Sequence, residues 1–290
     1  MEGLECTEIK LSGINADLRY EAEFFRKQFL KEDAALGRWS KMPIGEFATV
    51  TDGPHGYHIV DESSPIAMLT AKSTANWFSR REGADLIARS IDEANERSRL
   101  RSRDIILSTR GTVGMCAMVI PESLPANIDQ DVARISWDDN TGFAAEFVLA
   151  YLNTRYGQDH MKRYATGMVQ QGLSLTKVRE IAIPKIGETT QKAVAKLVQV
   201  ALTTLRLQQQ SLDAAEMILL AALGLEDWQP PEPLTYTRRA SEAGIATRLD
   251  SEYFAPRVTD LLAHLGAGQR TLQDVAPPRR VQHPRAASPL

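Results

Sequence analysis

The sequence predicts an α+β fold class: a globular, strand-rich domain followed by a long coiled-coil-type helix. Three observations predict it. Between Ile44 and Ile183, short apolar runs such as Ile105-Ile106-Leu107 and Ala117-Met118-Val119-Ile120 are bounded by Gly, Pro, Asn and Asp, the punctuation of strands and turns. From Thr189 to Leu223 there is neither Gly nor Pro, and apolar residues recur at alternating steps of four and three. Finally, the opening of the chain returns near its end. Arg19/Arg248, Glu23/Glu252, Phe25/Phe254 and Ser12/Ser241 are identities at one offset of 229 residues, while Glu21/Asp250 and Phe24/Tyr253 keep charge or ring. The echo resumes, one residue shorter, as Ile44-Gly45-Glu46-Phe47-Ala48 against Leu272-Gln273-Asp274-Val275-Ala276. Solenoid repeats have periods of roughly 20 to 50 residues, so this offset marks the duplication of a whole module, with only the opening of the second copy expected here.

Taken in order, residues 15–35 read as a short helix with Leu18, Phe25, Phe29 and Leu30 on a rough stripe. A helical stretch from Ala144 to Arg155 interrupts the strands, and Pro184, which offers no amide to a ladder, closes a strand at Glu180–Ile183. In the long helix Val194, Val198, Ala201, Leu205, Gln208, Leu212, Ala215 and Leu219 form an a/d seam, which predicts packing along its length on a partner helix. At ~1.5 Å per residue that length is roughly 50 Å. Gln208 reads either as a register-setting polar residue or as one tolerated on a solvent-exposed stretch. Gly224 ends the helix, and Pro230-Pro231-Glu232-Pro233 follows as a stiff linker. The expected divisions are residues 1–187 for the strand-rich domain with its N-terminal helix, 188–224 for the spacer helix, 225–240 for the linker and 241–290 for the start of a second, truncated repeat.

Composition narrows the function. A chain of 290 residues with 43% hydrophobic content can bury a proper core. It carries no basic-then-apolar leader and no apolar run near the ~18 residues of a membrane span, so a cytoplasmic location without membrane contact is expected. Cys6 and Cys116 are too few for a disulfide framework or a zinc site. The net charge of −3 argues against a general polyanion binder. That average hides a segregation: Arg97, Arg99, Arg101, Arg103 and Arg110 face only Asp104 in residues 97–110, and Arg155, Lys162, Arg163, Lys177 and Arg179 face only Asp159 in residues 155–179. Residues 207–234 carry Asp213, Glu216, Glu226, Asp227 and Glu232 with no Lys or Arg. Such zones suit a protein that meets phosphate with one part and protein with another, or are simply solvated faces.

Motifs for chemistry are missing from the sequence. It holds no glycine-rich cofactor loop, no phosphate loop and no Asn/Asp-Pro-Pro-Tyr/Phe tetrad, so neither a catalytic residue nor a cofactor is expected. His55 and His58 stand near Asp52, Asp61 and Glu62, but loop sequence without a third clustered His reads as a solvated or backbone-bonded pair rather than a metal site.

Two segments could instead meet nucleic acid. Asp104 to Gly114 is a strand running into a glycine turn whose tip offers Ser108, Thr109, Arg110 and Gly111; hydroxyls and amides bond phosphate, and an arginine can fork onto a guanine edge. A plain hairpin with solvent-facing polar residues has the same pattern. The stretch from Tyr156 through Lys162-Arg163 to Thr166-Gly167-Met168-Val169-Gln170-Gln171-Gly172-Leu173-Ser174 offers two cations for phosphate, amides suited to adenine edges, and glycines that permit close backbone approach.

These stretches, in their order and spacing, resemble the DNA-specificity (S) subunits of type I restriction–modification systems. The resemblance is carried by Asp52-Gly53-Pro54-His55, the Asp104-to-Gly114 segment, Asn127-Ile128-Asp129-Gln130-Asp131-Val132-Ala133-Arg134-Ile135, and Tyr151-Leu152-Asn153-Thr154-Arg155-Tyr156-Gly157-Gln158. Thr166-Gly167 with Gln170, Leu173 and Leu175, then Ile181-Ala182-Ile183-Pro184 before the long helix, complete it. It covers residues of about 15 to 230, and the Arg248-to-Phe254 echo looks like the family's second-half opening.

The resemblance implies a non-catalytic subunit with a target-recognition domain on duplex DNA and a spacer helix. It also implies separate methyltransferase (M) and ATP-dependent restriction (R) subunits on a bipartite target. The family usually has Gly where this chain has Arg103, and usually has two recognition domains where this chain has one. The expected forms are therefore a half-subunit that dimerises through the long helix, or a shortened chain. The candidate DNA-contacting residues are Lys72, Thr109, Arg110, Gly111, Lys162, Arg163, Thr166, Gln170, Gln171 and Ser174. Recognition domains of this kind also occur at the C-terminal side of single-chain restriction–modification methyltransferases, which is the alternative reading. The start at Met1, with the repeat-initiating helix close behind, speaks against a lost catalytic half.

Overall fold

A computed structural model of the chain describes residues 6–10, 14, 21–56, 59–167, 172–239, 241 and 251–265. It divides into two units, residues 1–205 and 206–290. In the first, strands β1 (Lys41–Pro43), β2 (Thr49–Asp52), β3 (Ala67–Leu69), β4 (Ile105–Ser108), β5 (Cys116–Met118), β6 (Ala126–Ile128), β7 (Val132–Ser136) and β8 (Ala182–Pro184) are interleaved with helices. These are α1 (Lys27–Leu36), α2 (Ile44–Phe47), α3 (Arg89–Ala94), α4 (Ala145–Asn153), α5 (Arg155–Tyr164) and α6 (Leu175–Glu180); α7 (Glu188–Leu223) starts after β8. The main sheet is antiparallel in the order β2-β7-β4-β5, flanked by an antiparallel pair β1-β8 and a parallel pair β3-β6.

Strand β4 is apolar at consecutive positions because both of its faces are covered. Ile105 and Leu107 join Val148, Leu149 and Leu152 of α4 in the larger core, while Ile106 joins Ala67, Leu69 and Ile128 in a second one. A clean period-two alternation is therefore absent from this stretch, although it is a strand.

Three expectations change in detail. The helical stretch reaching Arg155 is two helices: Thr154 is extended, and its hydroxyl accepts from the Gly157 amide at 3.4 Å, so α5 starts afresh. Gly157 offers no approach to a ligand, because a Cβ there would lie 2.5 Å from the Tyr151 carbonyl oxygen. Its approach is to the chain's own α4. The strand expected at Glu180–Ile183 is Ala182–Pro184, with Glu180 ending α6.

The seam of α7 is corrected as well. Within the first unit Val194, Val198 and Leu205 pack on the larger core together with Leu202, whereas Ala201 is exposed. The physical reason is period: a straight helix lying on a globule follows 3.6 residues per turn, and the buried set drifts off a strict heptad. Through this face, this part of α7 covers its own domain. Gln191, buried, anchors it by accepting from the Ala144 amide at 3.0 Å and donating to the carbonyls of Gly142 at 3.0 Å and Ile186 at 2.9 Å.

In the second unit Gln208 and Ala215 are exposed, and Leu212 and Leu219 are 57% and 58% exposed. The helix ends as expected. Gly224 takes φ +67, its amide reaches the Ala221 carbonyl at 3.1 Å, the Leu225 amide reaches that of Leu220 at 2.9 Å, and Leu225 is buried. Beyond it α8 (Pro256–Leu265) is held by Trp228, whose indole donates to Asp260 at 2.7 Å.

The internal echo is structural. A 3-10 turn at Ala22–Phe25 precedes α1, and one at Glu252–Phe254 precedes α8; the two helices stand at the offset of 229 that relates the sequences. The Phe24 and Phe25 rings meet edge-on at 5.1 Å, as do Tyr253 and Phe254 at 5.0 Å. Among the described residues no helix is long and apolar enough to cross a membrane.

Candidate functional site

Strand β4 runs out through Thr109 into the turn that carries Arg110. Gly111 and Gly114, with φ of 70° and 90°, let the chain reverse, and the Gly114 amide returns to the Ser108 carbonyl at 2.9 Å. Two other segments lock the tip. On one side the Thr109 amide donates to the Asp131 carbonyl at 2.8 Å; on the other the Leu173 amide donates to the Thr109 carbonyl at 2.9 Å. Arg110 and Gly172 then form a bridge, and Thr166 and Gly172 exchange two backbone bonds at 2.9 and 2.8 Å. Gln158 of α5 adds a donor to the Gly114 carbonyl at 2.8 Å. The two segments singled out in the sequence thus meet at one edge, with the turn before β7 as the third member.

The candidate residues do not all share that edge. Arg110, Gly111 and Thr166 are exposed on it, while Thr109 is buried. Ser174 is exposed, with its hydroxyl capping α6 by accepting from the Lys177 amide at 3.3 Å. Lys162 is exposed on the last turn of α5, where it lines an open groove with Thr166 and Gly167. Lys72 is exposed on the 3-10 turn Ala71–Thr74, which rests against β4 and β5. Gln170 and Gln171 lie outside the described residues.

Arg163 is placed differently from its expected role. Its side chain is only 8% exposed; the guanidinium donates to the Phe24 carbonyl at 2.7 Å, pairs with Asp33 at 2.7 Å and lies 4.1 Å from the centre of the Phe24 ring. It fastens the first repeat opening to α5. Beside it, burial first and the Asp159 carboxylate second push the Glu32 carboxyl upward, against the pull of Arg155.

The basic zone 97–110 is also not a row of free cations. Arg97 pairs with Asp52 at 3.2 Å, Arg99 with Asp92 at 2.7 Å, Arg103 with Glu146 at 3.1 Å and Arg110 with Asp131 at 3.0 Å. Three of these carboxylates are 21 to 45 residues away in the sequence, so local charge counting cannot find them. The Asp131 amide in turn donates to Asp129 at 3.0 Å. Burial chiefly, with the Asp131 charge, pushes Asp129 up to about 6, opposed by that amide bond and by Arg110. Asp131 and Asp129 are not among the candidate DNA-contacting residues, although both lie in the Asn127-to-Ile135 stretch that carries the resemblance. His55 lies 3.2 Å from Asp52, and His58 falls outside the described residues.

No family model and no curated protein matches the chain. Among solved structures it is similar to the S subunit of a type I restriction–modification system from M. genitalium, with 11% identity and a TM-score of 0.41 over 56% of this chain and 38% of that one. It is similar to the HsdS subunit from Thermoanaerobacter tengcongensis, with 16% identity and a TM-score of 0.42 over 63% of this chain and 46% of that one. It is also similar to the type IIG restriction endonuclease BpuSI, with 7% identity and a TM-score of 0.39 over 61% of this chain and 28% of that one. The chain thus spans less than half the length of each of these three structures.

Proposed function

We propose that the chain is a non-catalytic DNA-recognition subunit. In this reading residues 1–187 form a target-recognition domain that reads duplex DNA through the edge around Arg110, residues 188–224 are a spacer, and residues 241–290 open a second repeat. Separate methyltransferase and ATP-dependent restriction subunits would be positioned by it on a bipartite target.

The observation that carries the reading is the joining of the Arg110 turn to the Thr166–Gly172 segment by the Arg110–Gly172 bridge. An arginine fork, an exposed hydroxyl and glycine backbone come together at one edge, with Lys162 on the adjoining helix. That is the pairing of base-reading and phosphate-positioning groups which duplex recognition requires. Lys72 and Lys162 take the phosphate role, and Arg110 takes a base edge.

Binding to labelled duplexes at several salt concentrations tests it. Lys162→Ala and Lys72→Ala are expected to weaken binding to all duplexes and to reduce the salt slope by about 0.9 for each phosphate that is no longer neutralised. Arg110→Ala should instead cost about 1–3 kcal/mol more on the preferred duplex than on a random one. Equal losses for the lysine and arginine variants on preferred and random duplexes would remove this division of roles.

The exposed apolar residues in the second part of α7 suit docking on a methyltransferase subunit or on a second copy of the chain. Leu212→Asp with Leu219→Asp is expected to abolish that association, read by light scattering and co-purification. The melting of the first unit should not change, because both positions are more than half exposed. Normal assembly by the double variant would end the assignment of α7 as a partner surface.

A further inference from the structure

The Arg110–Asp131 pair has no structural burden that explains it. Arg110 is 48% and Asp131 35% exposed, and a pair so placed is worth ~0–1 kcal/mol to folding. Yet Asp131 is held firmly. Its amide donates to Asp129 at 3.0 Å, and its carbonyl accepts the Thr109 amide at 2.8 Å, so its backbone is bound directly to the residue that precedes Arg110. The result is a carboxylate carried on a firmly bonded backbone beside the arginine that the proposed function assigns to base reading.

A fixed negative charge opposes the approach of a phosphate backbone. On a duplex that draws Arg110 away, Asp131 loses its ion-pair partner and is left facing a polyanion. The cost is recovered only where a donor replaces the guanidinium. A base edge supplies such a donor as the exocyclic amino group of cytosine or adenine. A repulsive element of this kind separates right from wrong partners alongside the attractive contacts.

Resting on the DNA-recognition reading, we propose that Asp131 is a specificity-determining residue of this edge: it holds Arg110 in the free protein, penalises non-target duplexes, and accepts from a base amino group on the target. Arg110 and Asp131 then act as one unit. Arg110 binds a base acceptor while Asp131 receives a base donor.

The test uses the full chain and a randomised duplex library, from which the enriched duplex and a scrambled duplex of equal length are taken for anisotropy titrations. Asp131→Asn is expected to bind the scrambled duplex more tightly than the wild type and to lower the ratio of enriched to scrambled affinity by roughly 10- to 100-fold. Asp131→Glu keeps the charge but moves it by one methylene, so it should retain weak binding to the scrambled duplex and lose the preference. Arg110→Ala combined with Asp131→Asn should lose less than the product of the single losses. An unchanged affinity ratio in Asp131→Asn and Asp131→Glu would overturn the role of Asp131 while leaving DNA recognition in place. A wild-type chain that enriches no duplex and binds none at low salt would overturn the recognition reading itself.

Discussion

Replacing Asp104 by Asn is expected to lower the stability of the first unit by about 3–5 kcal/mol. Asp104 and Arg134 are 5% and 10% exposed, and their contact is 2.6 Å. The carboxylate also accepts the Arg101 amide at 2.8 Å. The guanidinium reaches the Arg97 carbonyl at 2.9 Å and the Ser136 hydroxyl at 3.0 Å. Removing the negative partner strands a buried cation that those neutral acceptors cannot neutralise. Arg97→Gln, which breaks the exposed pair with Asp52, should cost under about 1 kcal/mol in the same assay. Chemical denaturation of the two variants side by side is the check. Similar small losses would mean that water reaches Arg134 and shares its charge.

The second large effect is steric. Gly53 lies against the turn that follows β6, and a Cβ on it would stand 1.8 Å from the Ile128 carbonyl oxygen and 2.7 Å from that of Asp129. Both obstacles are backbone, so no side-chain rotation relieves them. Gly53→Ala is expected to cost about 3 kcal/mol or more, since overpacking against an immovable neighbour must move a strand. The displaced strand leads through Asp129 to Asp131, so the same substitution should weaken the Arg110–Asp131 pair and blunt duplex discrimination. A stable variant that discriminates normally would show that β2 can separate from this turn without disturbing the edge.

Much of this molecule was legible before its structure. The strand into a glycine turn at Asp104 to Gly114 follows from an apolar run that ends in residues able to adopt positive φ, and it is there as β4 and its tip. A stretch free of Gly and Pro with apolar spacing near the helical period gives α7, and a glycine at its end gives the stop at Leu223. The repeated opening was visible as paired letters because each copy builds the same short turn and helix from neighbouring residues. What these features share is locality, since backbone preference and side-chain period act over a few residues.

The site was less legible because its decisive relations are between distant residues. Five arginines in fourteen residues read as a basic zone, but Asp52, Glu146 and Asp131 cancel three of them from 21 to 45 positions away, and Asp92 cancels a fourth. Arg163 reads as a phosphate ligand until Phe24 and Asp33 arrive from the opposite end of the domain to bury it. Gly157 reads as an approach point for a ligand until α4 fills the space. By itself, then, the sequence determined the strand and glycine turn at Asp104 to Gly114, the long helix with its stop, and that one module opens twice. Only the tertiary structure decided which charges remain available, because an ion pair depends on separation in space at a few ångströms, which the fold sets and the order of residues does not.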